Sequence, residues 1–322
     1  MEVDKLYRKK GKAVKLNYAK GKFSNIFFFI GRLKKSQGLT ALLFILPASL
    51  PLAAFWLWPM FYSTYLSFTD WDFMSPEYKF VGINNYITLF RNKEFYQVLI
   101  NTVYFTLGNV IPTIIGGLVL ALLLNKKLKA MGIFRTILFS PWVTPTVAIS
   151  IVWSWIFEPR VGLANYILQT FHLHKLQWAQ SSKWAMVVIL IVTVWKGVGW
   201  AMVFYLEALQ KVPEELYEAS YIDGASSWQK IKNVTIPLIS PTTFFLFIIT
   251  TINSLQAYDQ IQIMTQGGPA GSTRTILYMY YQYAFENFNT GEAAAIATIL
   301  VILTGILSLI QFIASKRWVH YQ

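Results

Sequence analysis

The segment Glu214–Pro241, EELYEASYIDGASSWQKIKNVTIPLISP, is a short polar stretch between two long apolar runs. Pro213 and the two glutamates after it predict a helix start, because proline fits the first helical turn and acids suit the positive end of the helix dipole. Gly224 predicts the end of that helix, since glycine readily adopts the left-handed backbone conformation found there.

A second short helix is predicted directly afterwards. Ser226 and Gln229 have the spacing of a capping box, and Pro237 and Pro241 mark the return to an apolar run. We call residues 212–237 the polar elbow. Two capped helices joined at a glycine on the aqueous side of a membrane predict a docking site for a soluble partner.

Composition places the chain among membrane proteins. Of its 322 residues, 55% are hydrophobic and 13% are charged, and mean hydropathy is +0.44; soluble domains carry about 25% charged residues. The absence of cysteine excludes disulfides, thiolate metal sites and a cysteine nucleophile. No acid lies beside His172 and His174, so we expect no metal site there.

The predicted fold is all-α and polytopic, because the apolar runs are long enough to cross a bilayer and too many for one soluble core. We predict six transmembrane helices, at residues 40–68, 95–124, 134–157, 184–206, 238–264 and 293–313. They belong to a membrane domain spanning 39–322, which includes the polar elbow. Residues 1–38 form a basic N-terminal arm.

Lysine and arginine predict the orientation of these spans. The arm 1–38 contains 11 of them. With the loop 125–135, the segment 207–237 that includes the elbow, and the tail 316–317, one side carries 20, against seven on the other side. Both termini and the elbow are therefore predicted to be cytoplasmic. Phe23–Ile30 predict either interfacial packing of the arm on anionic lipid or a loosely ordered basic tail.

The sequence lacks the motifs of several enzyme classes, and this narrows the functions it can have. There is no phosphate-binding Walker loop, no pair of carboxylates in one plausible pocket and no nucleophile-elbow motif, so we predict no catalytic residues and no enzyme activity. The basic residues are spread along the cytoplasmic edges without a recognised nucleic-acid-binding motif, so no nucleic-acid partner is expected.

Polar residues inside the fourth span are candidates for a substrate pathway, because such groups are costly in a bilayer. Thr193, Lys196, Gly197 and Trp200 share one helix face by their spacing. Lys196 has two interpretations. It recognises a carboxylate or phosphate of the substrate, or it forms a structural ion pair with Asp259 or with an acid of another chain.

The fifth span offers a second polar face. Thr250, Asn253, Ser254, Ala257 and Tyr258 have 3/4 spacing, so a continuous helix would align them. Their amide, hydroxyl and phenol groups suit sugar hydroxyls and sugar faces; the alternative is that they join membrane helices by hydrogen bonds. Three tryptophans of the third span are expected to line the bundle or its interfaces rather than bind ligand: Trp142, Trp153 and Trp155.

The elbow also carries a family resemblance. Its sequence matches the pattern E-A-A, three residues, G, nine residues, I-x-L-P, with Ser220 in place of the second alanine. This resembles the cytoplasmic loop of membrane subunits of bacterial ABC importers, and LYEASYIDGA resembles the carbohydrate branch. Phe80–Phe90, FVGINNYITLF, and Thr265–Pro269, TQGGP, resemble further segments of these permeases. The resemblance assigns coupling to ATPases to Glu218, Ala219, Asp223, Gly224 and Pro237.

The resemblance implies a type I ABC importer permease in the bacterial cytoplasmic membrane. Its implied partners are a second homologous permease, two ATPase subunits that hold ATP and Mg²⁺, and an extracytoplasmic sugar-binding protein. No cofactor is expected in this chain itself. Set beside the larger membrane subunit of the maltose importer, both polar faces fall on or beside sugar-contacting positions, and that subunit has no lysine there. Lys196 therefore suggests an acidic, uronate-containing oligosaccharide. The alternative function is a secondary transporter driven by an ion gradient, with Asp259 as its coupling carboxylate.

Overall fold

The computed structural model describes residues 37–125 and 131–320. The predictions for the arm 1–38 concern residues that lie almost wholly outside this range, so they stay predictions. The chain divides after Tyr62 into two compact units. In the described residues the structure is helical, and extended pairing is limited to one bridge between Thr69 and Phe80. The all-α prediction is confirmed.

The first long helical segment runs to Leu66. It consists of α1 (Gln37–Leu52), a π-helical turn (Ala53–Leu57) and α2 (Trp58–Leu66), and its stretch Thr40–Leu66 is long and apolar enough to cross a membrane. The predicted span 40–68 is confirmed to within two residues.

Three further helices are uninterrupted candidates for membrane spans, and they confirm the predicted spans 95–124, 184–206 and 293–313. In chain order the helices after α2 are α3 (Asn84–Arg91), α4 (Lys93–Leu124), α5 (Met131–Val143), α6 (Thr146–Ile156), α7 (Leu163–Thr170), α8 (Ala185–Lys211), α9 (Glu214–Ile222), α10 (Ser227–Lys230), α11 (Ile236–Leu238), α12 (Ser240–Leu255), α13 (Asp259–Met264), α14 (Ile276–Tyr281) and α15 (Thr290–Ser315).

The third predicted span is broken. Helices α5 and α6 meet at an angle of 98°, with Thr144 and Pro145 between them. Proline lacks a backbone N–H and disfavours helical geometry in the residue before it, which explains the break at this point. Ser227–Leu238 and α12 form a second bent pair, at 67°. If each pair is one span, the described chain has six.

The fifth predicted span, 238–264, is wrong at its second end. Helix α12 stops at Leu255, and α13 begins only at Asp259. The backbone groups of Ala257, which lie outside the helix, form other hydrogen bonds. The Thr275 hydroxyl donates to the Ala257 carbonyl at 3.0 Å, and the Ala257 N–H donates to the Ser254 carbonyl. This compensation is the condition for irregular backbone at membrane depth.

Small residues bring α8 close to its neighbours. A Cβ on Gly117 of α4 would lie 2.5 Å from the Ala201 side chain, and one on Gly199 would collide with the Leu138 carbonyl oxygen of α5. Such contacts let helix backbones approach closely in a membrane. Helix α8 is therefore the central helix of the second unit, packed between α4 and α5.

Two loop segments at the helix ends remote from the elbow are tightly bonded. The Asn85 amide donates to the Ser67 and Thr69 carbonyls at 2.8 Å each. Asn101 donates to the carbonyls of Gly271 and Arg274. These bonds fix the FVGINNYITLF segment and the turn after TQGGP against the bundle.

Candidate functional site

A cavity of about 460 Å³ lies among α4, α5, α6, α8, α12 and the start of α13. Six of the eight substrate-pathway residues predicted from the sequence line it: Thr193, Lys196, Gly197, Trp200, Thr250 and Asn253. The two polar faces are thus brought together around one space. A cavity of this size lies in the range that holds small ligands.

Glycine at position 197 keeps the wall of the cavity open on the α8 side. A Cβ there would lie 3.2 Å from the Thr113 methyl group of α4, a tight contact. Thr193 is positioned by its own hydroxyl, which donates to the Ile189 carbonyl and accepts a bond from the Gln260 amide at 3.2 Å. The α8 face is therefore held from both α4 and α13.

Lys196 is anchored at the break between α5 and α6. Its ammonium donates to the Thr144 carbonyl oxygen and to the Thr146 hydroxyl, each at 2.9 Å. Thr144 follows the end of α5, whose last carbonyls have no partner within the helix and form the negative end of its dipole. The cost of a charge at this depth is offset by these acceptors.

Lys196 and Asp259 both line the cavity, but they form no salt bridge in the described residues, so the structure does not favour this form of the ion-pair interpretation. The physical reason is the broken third span, which supplies a carbonyl that a continuous helix would have used internally. Asp259 instead stands exposed at the first residue of α13. Pairing of Lys196 with an acid of another chain stays a prediction.

Trp142 lines the bundle as predicted, and it does so at the wall of the cavity. Its ring stacks on that of Trp200, with centroids 5.1 Å apart and planes at 24°. The Lys196 ammonium lies 5.8 Å from the Trp142 centroid, within the range of a cation–π contact. Trp153 packs against Trp195 and Phe157, as a bundle-lining residue would.

Helix α12 presents two kinds of polar side chain. Thr250 is 5% exposed, and its hydroxyl has no hydrogen-bond partner in the described part of the chain, although it borders the cavity. Asn253 is exposed to the cavity. A buried hydroxyl without a partner is costly, so Thr250 is a candidate for binding a ligand.

Ser254 does not line the cavity. It is buried, donates to the Thr250 carbonyl at 2.6 Å and accepts from the Asn109 amide at 2.9 Å. Thr113 in turn donates to the Asn109 amide oxygen. Ser254 therefore joins α12 to α4, which is the alternative that the sequence left open for this face.

Tyr258 is displaced from the predicted face because α12 ends three residues earlier. It lines a second cavity of about 390 Å³ that adjoins the first and shares four residues with it. The lining of this second cavity is Asn253, Gln256, Ala257, Tyr258, Asp259, Gln260, Leu277, Tyr280 and Tyr281.

Sequence reasoning missed several residues of the first cavity. Asn109 and Thr113 had a usable signal, because two polar residues four apart in an otherwise apolar span share one face. The others reach the site through the two helix breaks or through packing. These are Phe105, Thr146 and Gln260. The predicted face of the fifth span already includes Ala257, and the sequence singles out Trp142 and Asp259 in other roles.

The polar elbow has the predicted geometry. Gly224 adopts φ +74°, and the Gly224 and Ala225 N–H groups donate to the Tyr221 and Ser220 carbonyls, which is a Schellman ending of α9. Ser226 and Gln229 form the predicted capping box. Both sequence predictions are confirmed.

The residues assigned to coupling lie along this elbow. Glu218 and Ala219 are exposed on α9, Asp223 is its C-cap, Gly224 forms the joint, and Pro237 lies in α11. The surface of the elbow also presents large apolar side chains. Tyr221, Ile222 and Trp228 are 75%, 84% and 69% exposed.

Side chains that could share a metal ion are not grouped anywhere in the described ranges. His172 and His174 are both exposed in the loop after α7. The arrangement of polar groups is suited to binding and passage of a solute.

Comparison with known proteins identifies the family. A model of the binding-protein-dependent transport system inner membrane component matches residues 80–319. The chain belongs to this family. Its members are the membrane components of ABC importers, in which other subunits hydrolyse ATP.

This inner membrane component is similar to relatives of nearly its own length. It is 35% identical to the multiple sugar-binding transport system permease protein of Streptococcus mutans over 89% of this chain and 97% of that one. It is 31% identical to the sn-glycerol-3-phosphate transport system permease protein of Yersinia pestis, over 87% and 95%.

The fold is shared with a solved bacterial ABC transporter involved in the import of the acidic polysaccharide alginate. The TM-score is 0.77 at 22% identity, over 90% of this chain and 98% of that one. The prediction of a type I importer permease fold is confirmed.

Proposed function

We propose that the chain is a permease subunit of an ATP-driven importer and that its cavity passes a carbohydrate carrying a negatively charged group. The observation that carries the proposal is the cavity that joins Lys196 and Trp200 of α8 to Thr250 and Asn253 of α12. It combines an ammonium, an indole, a hydroxyl and an amide in one space.

The carbohydrate part of the proposal has two supports. Asn253 and the unpartnered Thr250 hydroxyl offer bonds to sugar hydroxyls, while the stacked Trp142 and Trp200 offer apolar ring surface. Relatives whose names specify multiple sugars or glycerol phosphate share about a third of their residues with the chain. These names include both neutral and anionic solutes. The charge of the substrate is therefore inferred from the residues that line the cavity.

Lys196 favours the anionic solute. An ammonium has three N–H donors, and two of them are used by Thr144 and Thr146. The third is available to a carboxylate or phosphate in the cavity. Because Asp259 also borders the cavity, the anionic group should lie near Lys196 and away from Asp259.

The polar elbow is proposed to couple the permease to ATPase subunits. Tyr221, Ile222 and Trp228 form an exposed apolar surface on a loop with rigidly capped helices, as a protein interface requires. The Tyr217 and Thr235 hydroxyls bond at 3.0 Å and tie α9 to the segment before α12. Movement of α9 would thereby reach α12 and the cavity.

The importer mechanism follows from this connection. ATP-driven closure of two ATPase subunits would move the elbow and tilt α12 against α8, so that the cavity opens to each side of the membrane in turn. A second permease would complete the pathway, and a binding protein would deliver the sugar from outside. The count of basic residues supports a cytoplasmic location for the elbow and both termini.

The test is transport by the reconstituted complex. The chain, a partner permease, two ATPase subunits and a binding protein are placed in liposomes with ATP, and uptake of a labelled aldobiouronic acid, a uronic acid linked to a neutral sugar, is compared with uptake of maltose. We expect ATP-dependent uptake of the acidic sugar, and loss of that uptake in Lys196→Met.

Two outcomes would contradict parts of this proposal. Uptake that follows an imposed ion gradient without ATP would favour a secondary transporter. The family assignment argues against that alternative. Uptake of maltose alone, unchanged by Lys196→Met, would remove the anionic substrate and leave the importer assignment intact.

A further inference from the structure

The second cavity adjoins the Lys196 cavity. Asn253, Ala257, Asp259 and Gln260 line both, so a ligand can extend from one into the other. The shared wall is the break between α12 and α13, where Tyr258 adopts φ −139° and ψ −57°.

Aromatic rings dominate one wall of the second cavity. The rings of Tyr258 and Tyr281 lie 4.8 Å apart at 50°, and Tyr281 also contacts Phe285 at 5.4 Å. Tyr280 completes this wall. Tyr281 is half-buried, lines the cavity and belongs to none of the hydrophobic core clusters of the described chain, so part of its ring can contact a ligand.

The polar groups of this cavity are neutral or acidic. Asn253, Gln256 and Gln260 supply amides, Asp259 supplies a carboxylate, and within the described residues no lysine or arginine lines the space. A second anionic group would therefore meet repulsion from Asp259 without a compensating cation. An uncharged sugar unit would meet amides for its hydroxyls and tyrosine rings for its apolar face.

We propose that the tyrosine cavity is a second subsite, which binds an uncharged sugar unit linked to the anionic unit held at Lys196. The inference rests on the proposed function and extends it. The substrate class becomes an oligosaccharide in which an acidic sugar is joined to a neutral one. Asp259 stands between the two subsites and selects against two adjacent acids.

The test is equilibrium binding to the permease–ATPase complex in nanodiscs without the binding protein, measured with three probes. These are glucuronic acid, an aldobiouronic acid composed of glucuronic acid and xylose, and digalacturonic acid. We expect the aldobiouronic acid to bind most tightly. Tyr281→Leu should weaken its binding about five- to tenfold and leave glucuronic acid unaffected.

Further variants separate a binding role from a folding role. Tyr281→Phe keeps the ring and should retain wild-type binding, and Tyr166→Leu, an exposed tyrosine on α7 remote from both cavities, should change nothing. Asp259→Asn should strengthen binding of digalacturonic acid, because it removes the repulsion.

The outcomes distinguish this inference from the proposed function. If Lys196→Met abolishes binding of all three probes while Tyr281→Leu and Asp259→Asn change none, the second subsite is wrong and the anionic cavity stands. Equal weakening of glucuronic acid and aldobiouronic acid by Tyr281→Leu would also overturn it. Failure of every probe to bind the wild type would overturn the subsite together with the proposed function.

Discussion

The Lys196 ammonium lies 2.9 Å from the carbonyl oxygen of Thr144, at the break between α5 and α6. One side chain of the fourth span thus satisfies a carbonyl that lies in the helix break of the third. This hydrogen bond links the charged group in the cavity to the bend between α5 and α6. It also explains how an ammonium is retained at this depth without an acidic partner.

Lys196→Met should reduce transport of an anionic sugar at least about tenfold, because a charge-assisted hydrogen bond to the substrate is lost. Neutralising Asp259 as well, in Lys196→Met/Asp259→Asn, should not restore transport, since the two residues form no ion pair. Uptake into proteoliposomes measures both variants. Rescue by the double substitution would show that the pair forms in another state of the transporter.

Thr250→Val should weaken substrate binding while leaving the thermal stability of the complex unchanged or raised. Its hydroxyl is buried without a partner, so replacing it with a methyl group removes an unfavourable burial. Thr102→Val is the matched control. That hydroxyl donates to Val98 and accepts from the Ile276 N–H, so its loss should lower stability and spare binding.

Gly224→Val should uncouple ATP hydrolysis from transport. At φ +74° a β-branched residue is strained by about 1–3 kcal/mol, although a Cβ there would meet no neighbouring atom. Gly224→Asn should retain most activity, because asparagine tolerates this conformation. ATPase stimulation and uptake, measured on the same membranes, test this; equal activity of the two variants would contradict the backbone argument.

Gly199→Ala should destabilise the permease by about 1–3 kcal/mol, because its methyl group would collide with the Leu138 carbonyl oxygen. Gly305→Ala, in open space on α15, should be neutral or slightly stabilising. The midpoint of thermal unfolding in detergent reports both. A tolerated alanine at 199 would mean that α5 and α8 are not held as close as described.

The orientation can be tested on single-cysteine variants, because the native chain has no cysteine. Cysteines at Gln229 in the elbow should resist membrane-impermeant thiol reagents in intact cells. Cysteines at Asp72 and Lys175 should react, and all three positions are exposed. Labelling of position 229 from outside would reverse the orientation.

The sequence by itself determined the elbow and the four uninterrupted spans. Pro213, Gly224 and the Ser226–Gln229 pair act on the backbone within a few residues of themselves, so local rules were sufficient to predict both short helices. Long apolar runs likewise predict membrane helices without knowledge of their neighbours. The 3/4 spacing on α8 correctly grouped Thr193, Lys196, Gly197 and Trp200, because that helix is continuous through all four.

Only the tertiary structure decided where helices break and which polar groups meet. Periodicity extended the fifth span through Tyr258, but the Thr275 hydroxyl, 18 residues away, supplies the bond that lets the chain leave the helix at Leu255. The partner of Lys196 is a carbonyl 52 residues earlier. Every residue has a backbone carbonyl, so the sequence cannot indicate which carbonyl will lack a partner within its own helix.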